Sequence, residues 1–91
     1  MKRYKLLRLV LKSRCINYEY LGQYALDGMN KASIAERFSG RLQWKLKECY
    51  AVLHVLRLPP SALPRLFPPD GLGEITEEDR EEYLWGSRHL A

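Results

Sequence analysis

Few residues in this 91-residue chain are of a type that could do bond-making chemistry, and their spacing argues against it. Cys15 and Cys49 stand without metal-ligand spacing around them, and His54 and His89 stand alone. Both cysteines fall inside helix-like patterns and read as buried thiols rather than a disulfide. His54 interrupts "AVLHVL" and reads as a helix residue with a local partner. No nucleophile is placed beside a base, no carboxylates are paired in a core pattern, and no glycine loop is built for phosphate, so neither an enzyme, a metal nor a cofactor is expected. What remains is the segment "MNKASIAERFSG", Met29–Gly40, where Asn30, Lys31, Ser33, Glu36 and Arg37 gather donors, acceptors and charge on a dozen residues. It reads either as an ordinary amphipathic helix on a core or as a helix whose polar side is aimed at something.

Charge distribution suggests what that something is. Residues 1–67 carry 13 Lys/Arg against Glu19, Asp27, Glu36 and Glu48, a balance of +9, whereas residues 68–91 carry Arg80 and Arg88 against seven acids, a balance of −5. A basic body has a field suited to a polyanion, most simply nucleic acid, because each neutralised phosphate releases condensed counterions. The competing reading is a solvated charged surface. No apolar run approaches the roughly 20 residues that span a bilayer, and charges break the opening "MKRYKLLRLVLKSR" where a signal peptide needs an apolar core. A cytoplasmic protein without membrane contact is expected. With 46% hydrophobic residues the chain can close one small core, but a deep enzyme-sized pocket usually needs more scaffold.

The elements that must position Met29–Gly40 are helices. In the first, Leu7, Val10, Leu11 and Arg14 follow i, i+3, i+4, i+7, while Lys5, Arg8 and Lys12 fall on another strip, which reads as a phosphate-facing side. Asn17 caps a second helix over about Tyr18–Leu26, with Ile16 and Leu21 as a hydrophobic staple, and Asp27-Gly28 turns the chain. Asn30 caps a third over about Lys31–Ser39 and Gly40 closes it; Ile34, Phe38 and Ala35 clamp inward, leaving Lys31, Ser33, Glu36 and Arg37 outside. In "LQWKLKECYAVLHVLRL" the positions Leu46, Cys49, Tyr50, Leu53 and Leu56 give a central fourth helix that Pro59-Pro60 stops. Ser61 caps a short fifth with Pro64 in its first turn and Leu63, Leu66 and Phe67 packed back. "PPDGLG" reads as a linker. Beyond it, Thr76 and Asp79 form a capping box for a short acidic helix to about Trp85, whose Tyr83, Leu84 and Trp85 ask for burial in the same chain, in a second copy or in another protein, with docking or dimerisation preferred.

"YEYLGQYALDGMNKASIAERFSG" followed by "LKECYAVLHVLRLPPSAL" resembles the lambda-repressor-like, Cro/XRE helix-turn-helix proteins of bacteria and phages. The resemblance covers roughly residues 4–67 and rests on Leu21-Gly22, the Asp27-Gly28 turn, Asn30, "KASIAERFSG" and "VLRL". It departs from the family at Gly22, where a small alanine is usual, in a turn about two residues longer, at Arg37, where an apolar residue is usual, and at Arg57, where the family has a glycine. The resemblance implies an all-α, five-helix lambda-repressor-like helix-turn-helix domain at 1–67, with a linker and acidic, aromatic C-terminal extension at 68–91. It also implies sequence-specific double-stranded DNA binding by a small transcriptional regulator, a repressor, acting as a homodimer on a two-fold operator. The helix from Lys31 is then the reading helix: Lys31 suits guanine, Asn30 adenine or a phosphate, Ser33 either, and Glu36 a cytosine amine or a helical salt bridge. Arg37, Arg41 and Lys45 (or Lys47) suit the DNA backbone, and Tyr18 and Gln23 suit phosphate hydrogen bonds. The alternative is a protein-interaction module on the same fold that binds an enzyme or assembly partner without reading DNA, which Glu36, the longer turn and the acidic tail keep open.

Overall fold

The computed structural model describes residues 2–85, the side chain of Trp85 excepted; His89 and Arg88 lie outside the described residues. Helices account for the regular structure and no strand occurs among those residues. They are α1 (Lys5–Ser13), α2 (Tyr18–Tyr24), α3 (Lys31–Ser39), α4 (Leu46–Val55), α5 (Leu63–Leu66) and α6 (Glu77–Asp79), the last continued by a π-helical turn over Arg80–Trp85. None is long and apolar enough to cross a membrane.

Local chemistry sets the boundaries. Leu6, Leu7, Val10 and Leu11 are the buried stripe of α1, which ends where Cys15 turns left-handed (φ 57°) and the Ile16 amide returns to the Leu11 carbonyl at 2.9 Å. Cys15 is therefore exposed, contrary to its expected burial; Cys49 is buried, and both are free thiols. Asn17 and Asn30 cap α2 and α3 as expected, each Oδ1 accepting the backbone amide three residues on, from Tyr20 and Ser33, at 2.8 Å. Between the two helices the Met29 amide bonds the Leu26 carbonyl across Asp27 and Gly28, both at positive φ as a type I′ turn requires. Gly22 is needed where these helices cross, because a Cβ there would collide with the Met29 carbonyl oxygen and press on Ile34. Gly40 closes α3 at φ 88° with the Arg3 side chain laid across it.

The core is one cluster. Leu7, Val10, Leu21, Ile34, Phe38, Val52, Leu53, Leu56 and Leu66 are its fully buried members, and Tyr4, Phe38, Trp44 and Phe67 form an edge-to-face group beside them. Of the expected α4 stripe, Cys49, Leu53 and Leu56 are buried, with Glu48 and Val52 beside them, while Leu46 and Tyr50 stand 60% and 43% exposed. Ala35 of α3, expected inside, is exposed. Ser61 makes no cap; Pro60–Ala62 is a 3-10 turn that leads into α5. Arg57 is left-handed at φ 59°, the conformation that closes α4, with the Leu58 amide on the Leu53 carbonyl at 2.9 Å.

The residues after Phe67 are built into the same body. Pro69–Gly71 makes a tight turn whose Gly71 carbonyl accepts the Tyr4 amide at 2.8 Å, and a Cβ on Gly71 would strike the Tyr4 ring. Arg3 donates to the Asp70 carbonyl and Lys5 pairs with Glu74 at 3.3 Å. The Thr76–Asp79 capping box forms, and Arg65 clamps the Asp79 carboxylate, Nε to Oδ1 at 2.8 Å. Tyr83 is buried in the core and Leu84 packs against it, so of the three residues expected to seek burial these two find it in their own chain. The Trp85 side chain lies outside the described residues.

Candidate nucleic-acid interface

α3 is held from one side and presents the other. Ile34 and Phe38, four residues apart, bury completely; Phe38 lies flat against Tyr18 (4.9 Å between centroids, 18° between planes) and beneath the Arg8 guanidinium at 5.2 Å. The face left to solvent begins at Lys31 and runs through Ala32 and Ala35, with Glu36 half-exposed beside it. A helix with two alanines outward is smooth, so its backbone can approach a surface closely.

The basic residues of the body divide into two sets. Arg8 donates Nε to the Arg3 carbonyl at 2.7 Å and its terminal nitrogen to the Phe38 carbonyl at 3.1 Å, capping the end of α3 instead of standing on a phosphate-facing side. Arg14 is sunk between α1 and the end of α4, where it bonds the Leu56 carbonyl and burial pushes its pKa below the ordinary value. Arg37 is buried, 8% exposed, and its fork meets the equally buried Glu48: Nε to Oε1 at 2.9 Å and a terminal nitrogen to Oε2 at 3.2 Å. Burial alone would raise the Glu48 pKa, but the bonds from Arg37 and from the Lys45 amide hold it below the ordinary carboxylate value. By contrast, Lys12, Lys31, Arg41, Lys45, Lys47 and Arg57 are exposed with no ion pair or side-chain hydrogen bond among the described residues.

The structure therefore sorts the surface candidates. Lys31, Gln23, Arg41 and Lys45 are exposed and uncommitted, and Lys31 shares an open groove of about 490 Å³ with Lys12, Arg8, Leu11, Ile16 and Tyr18. Asn30 is exposed; its Oδ1 accepts the cap bond, which leaves its amide nitrogen and the second lone pair of Oδ1 to meet a partner. Ser33 is half-buried and its carbonyl accepts from Arg37 at 3.1 Å. Tyr18 is half-buried by its stacking on Phe38. Glu36 makes no ion pair among the described residues, so the helical salt bridge expected for it is absent there. Arg37 leaves the set altogether, since its guanidinium faces α4 and not solvent.

Ala32 is an outward residue that reasoning from functional groups passes over, because alanine carries none, and Ala35, expected inside, stands outward beside it. No group of three or more His, Cys, Asp or Glu among the described residues is arranged to hold a metal. The buried Trp44 Nε1 has no hydrogen-bond partner among the described residues, and the rings of Tyr4, Phe38 and Phe67 lie around the indole. Comparison of the chain with protein-family models, with curated proteins and with solved structures finds no match.

Proposed function

We propose that this protein is a sequence-specific double-stranded DNA-binding protein of the lambda-repressor-like helix-turn-helix kind, a small transcriptional repressor working as a homodimer on a two-fold site. The observation that carries the reading is the presentation of α3: a capped helix gripped by Ile34 and Phe38, offering Lys31, Ala32 and Ala35 outward from a body whose exposed Lys12, Arg41, Lys45, Lys47 and Arg57 make no ion pair among the described residues. In this reading α2 lies across the DNA backbone and α3 enters the major groove. Lys31 reaches guanine O6 or N7, and Ala32 and Ala35 let the helix come close enough to touch thymine methyl groups. Arg41, Lys45 and Lys47 neutralise phosphates on either side of the turn into α4. Arg57 in the left-handed conformation, where the resembling family has glycine, is a further point of support.

Selection of bound sequences from a random duplex pool, followed by titration of the winner at two salt concentrations, tests the proposal. Enrichment of a two-fold motif with affinity that falls steeply with salt is expected. Recovery of no motif at any salt would sink it. A second reading, a protein-binding module on the same fold, draws on the exposed Leu42, Leu46 and Tyr50 and on the exposed pair Tyr20–Tyr24, whose rings lie 4.5 Å apart. Those side chains are the surface to alter if the pool yields nothing.

A further inference from the structure

We infer that Arg37 and Glu48 form a positioning pair that fixes the roll of α3 about its own axis, and with it the face of α3 that meets a partner. The inference rests on the DNA-binding reading above for its consequence, and on geometry alone for its mechanism. α3 is attached through Ile34 and Phe38, which lie nearly in line along a helix of nine residues, and through the Arg8 bond to the Phe38 carbonyl, which holds only its last turn. Apolar contact has no preferred direction, so a seam this narrow opposes lifting of the helix far more than it opposes rolling. A guanidinium fork on a carboxylate is different, because two parallel bonds define a plane.

Each half of the pair is itself fixed. Arg37 donates from its remaining terminal nitrogen to the Ser33 carbonyl, one turn back in α3, at 3.1 Å. Glu48 accepts from the Lys45 amide at 3.0 Å, which ties its carboxylate to the first turn of α4. The plane of the fork is therefore referred to the backbone of both helices. Charge pairing is a poor way to gain stability here, since the desolvation of two buried ions offsets their attraction and an apolar pair of similar volume does as well. A directional contact is what apolar residues cannot supply.

The test is the double variant Arg37→Met/Glu48→Leu in the full chain. It should melt within about 5 °C of the parent. Its affinity for random duplex should be unchanged, while its preference for the selected duplex over random duplex falls about tenfold or more. Amide hydrogen exchange in 34–38 should quicken in the free protein. Glu48→Gln, which keeps the volume and an acceptor for Lys45, should lose part of the same preference without unfolding. An intact preference together with unchanged exchange in either folded variant overturns the inference, and a double variant that does not fold, beside a Glu48→Gln variant with full preference, overturns it as well. If the parent shows no preference among duplexes, the DNA-binding reading fails, and the exchange measurement still decides the role of the pair.

Discussion

Phe38→Ala is the perturbation whose size can be worked most directly. Phe38 is fully buried, meets Tyr4 edge-on at 6.0 Å and Trp44 edge-on at 5.4 Å, stacks on Tyr18, and lies under Arg8. Truncating a buried Phe costs about 3–5 kcal/mol through lost transfer energy and the cavity left behind, and four contacts with little freedom to collapse place this site toward the middle or top of that range, about 4 kcal/mol. A chain of 91 residues has about 5–13 kcal/mol in all. The substitution should therefore remove a third or more of the stability. At about 4–8 °C for each kcal/mol in a domain this small, the midpoint should fall by roughly 15–30 °C. Thermal and urea melts followed by far-ultraviolet circular dichroism measure it, with Phe38→Leu as the comparison at roughly 1–2 kcal/mol. A loss below about 1 kcal/mol for Phe38→Ala would refute the placing of Phe38 at the joint of α1, α3 and the aromatic group, and with it the assignment of the outward face of α3.

Other outcomes follow from the same contacts. Gly22→Ala should destabilise by roughly 1–3 kcal/mol in urea melts, despite the better helix propensity of alanine, because its methyl meets the Met29 carbonyl. Asp79 is held by the Arg65 fork and by Thr76 at a pKa of about 2 against 3.8 normally; a depressed acid stabilises above its ordinary value and loses that contribution as pH falls through its folded value, so an acid titration of stability should drop between about pH 4 and 2 and the drop should shrink in Asp79→Asn. In DNA titrations, Lys31→Ala and Ala35→Glu should weaken the selected duplex more than random duplex, while Arg41→Ala should weaken both alike, with equal losses throughout counting against the placing of α3 in the groove. Truncation after Phe67 should lower the melting midpoint sharply, because it removes Tyr83 from the core and uncovers Tyr4; an unchanged midpoint would contradict the docking of the tail.

Where the chain signals its own local chemistry, the sequence was readable. Asn17, Asn30, Gly40, the Asp27-Gly28 turn and the Thr76–Asp79 box each act within a few residues, and for that reason α2 begins and α3 begins and ends where expected, although α2 stops at Tyr24 and not at Leu26. What was not readable depends on contacts across the chain. In α4 helical spacing alone joins Leu46 and Tyr50 to Cys49, Leu53 and Leu56, and only the packing of α2 and α5 against this helix leaves the first two outside. Arg37 looked like a surface residue because its partner is eleven positions away, on another helix. "PPDGLG" looked like a linker because nothing local shows that Gly71 is kept bare for the Tyr4 ring. Of the candidate interface, Lys31 and the cap were visible in the sequence, but the smooth Ala32–Ala35 surface was not, since only the structure separates exposed alanine from buried.

The bond from Arg3 to Asp70 joins residues 67 positions apart, and Tyr4, Lys5 and Arg14 likewise find partners in the last part of the body. During synthesis at about 5–20 residues per second, Asp70 is added roughly 3–13 seconds after Arg3. For that interval the contacts that Arg3, Tyr4, Lys5 and Arg14 make with the last part of the body cannot form. The helix α1 is thus among the last elements to have all its partners, and its final placement waits on a segment made long after it.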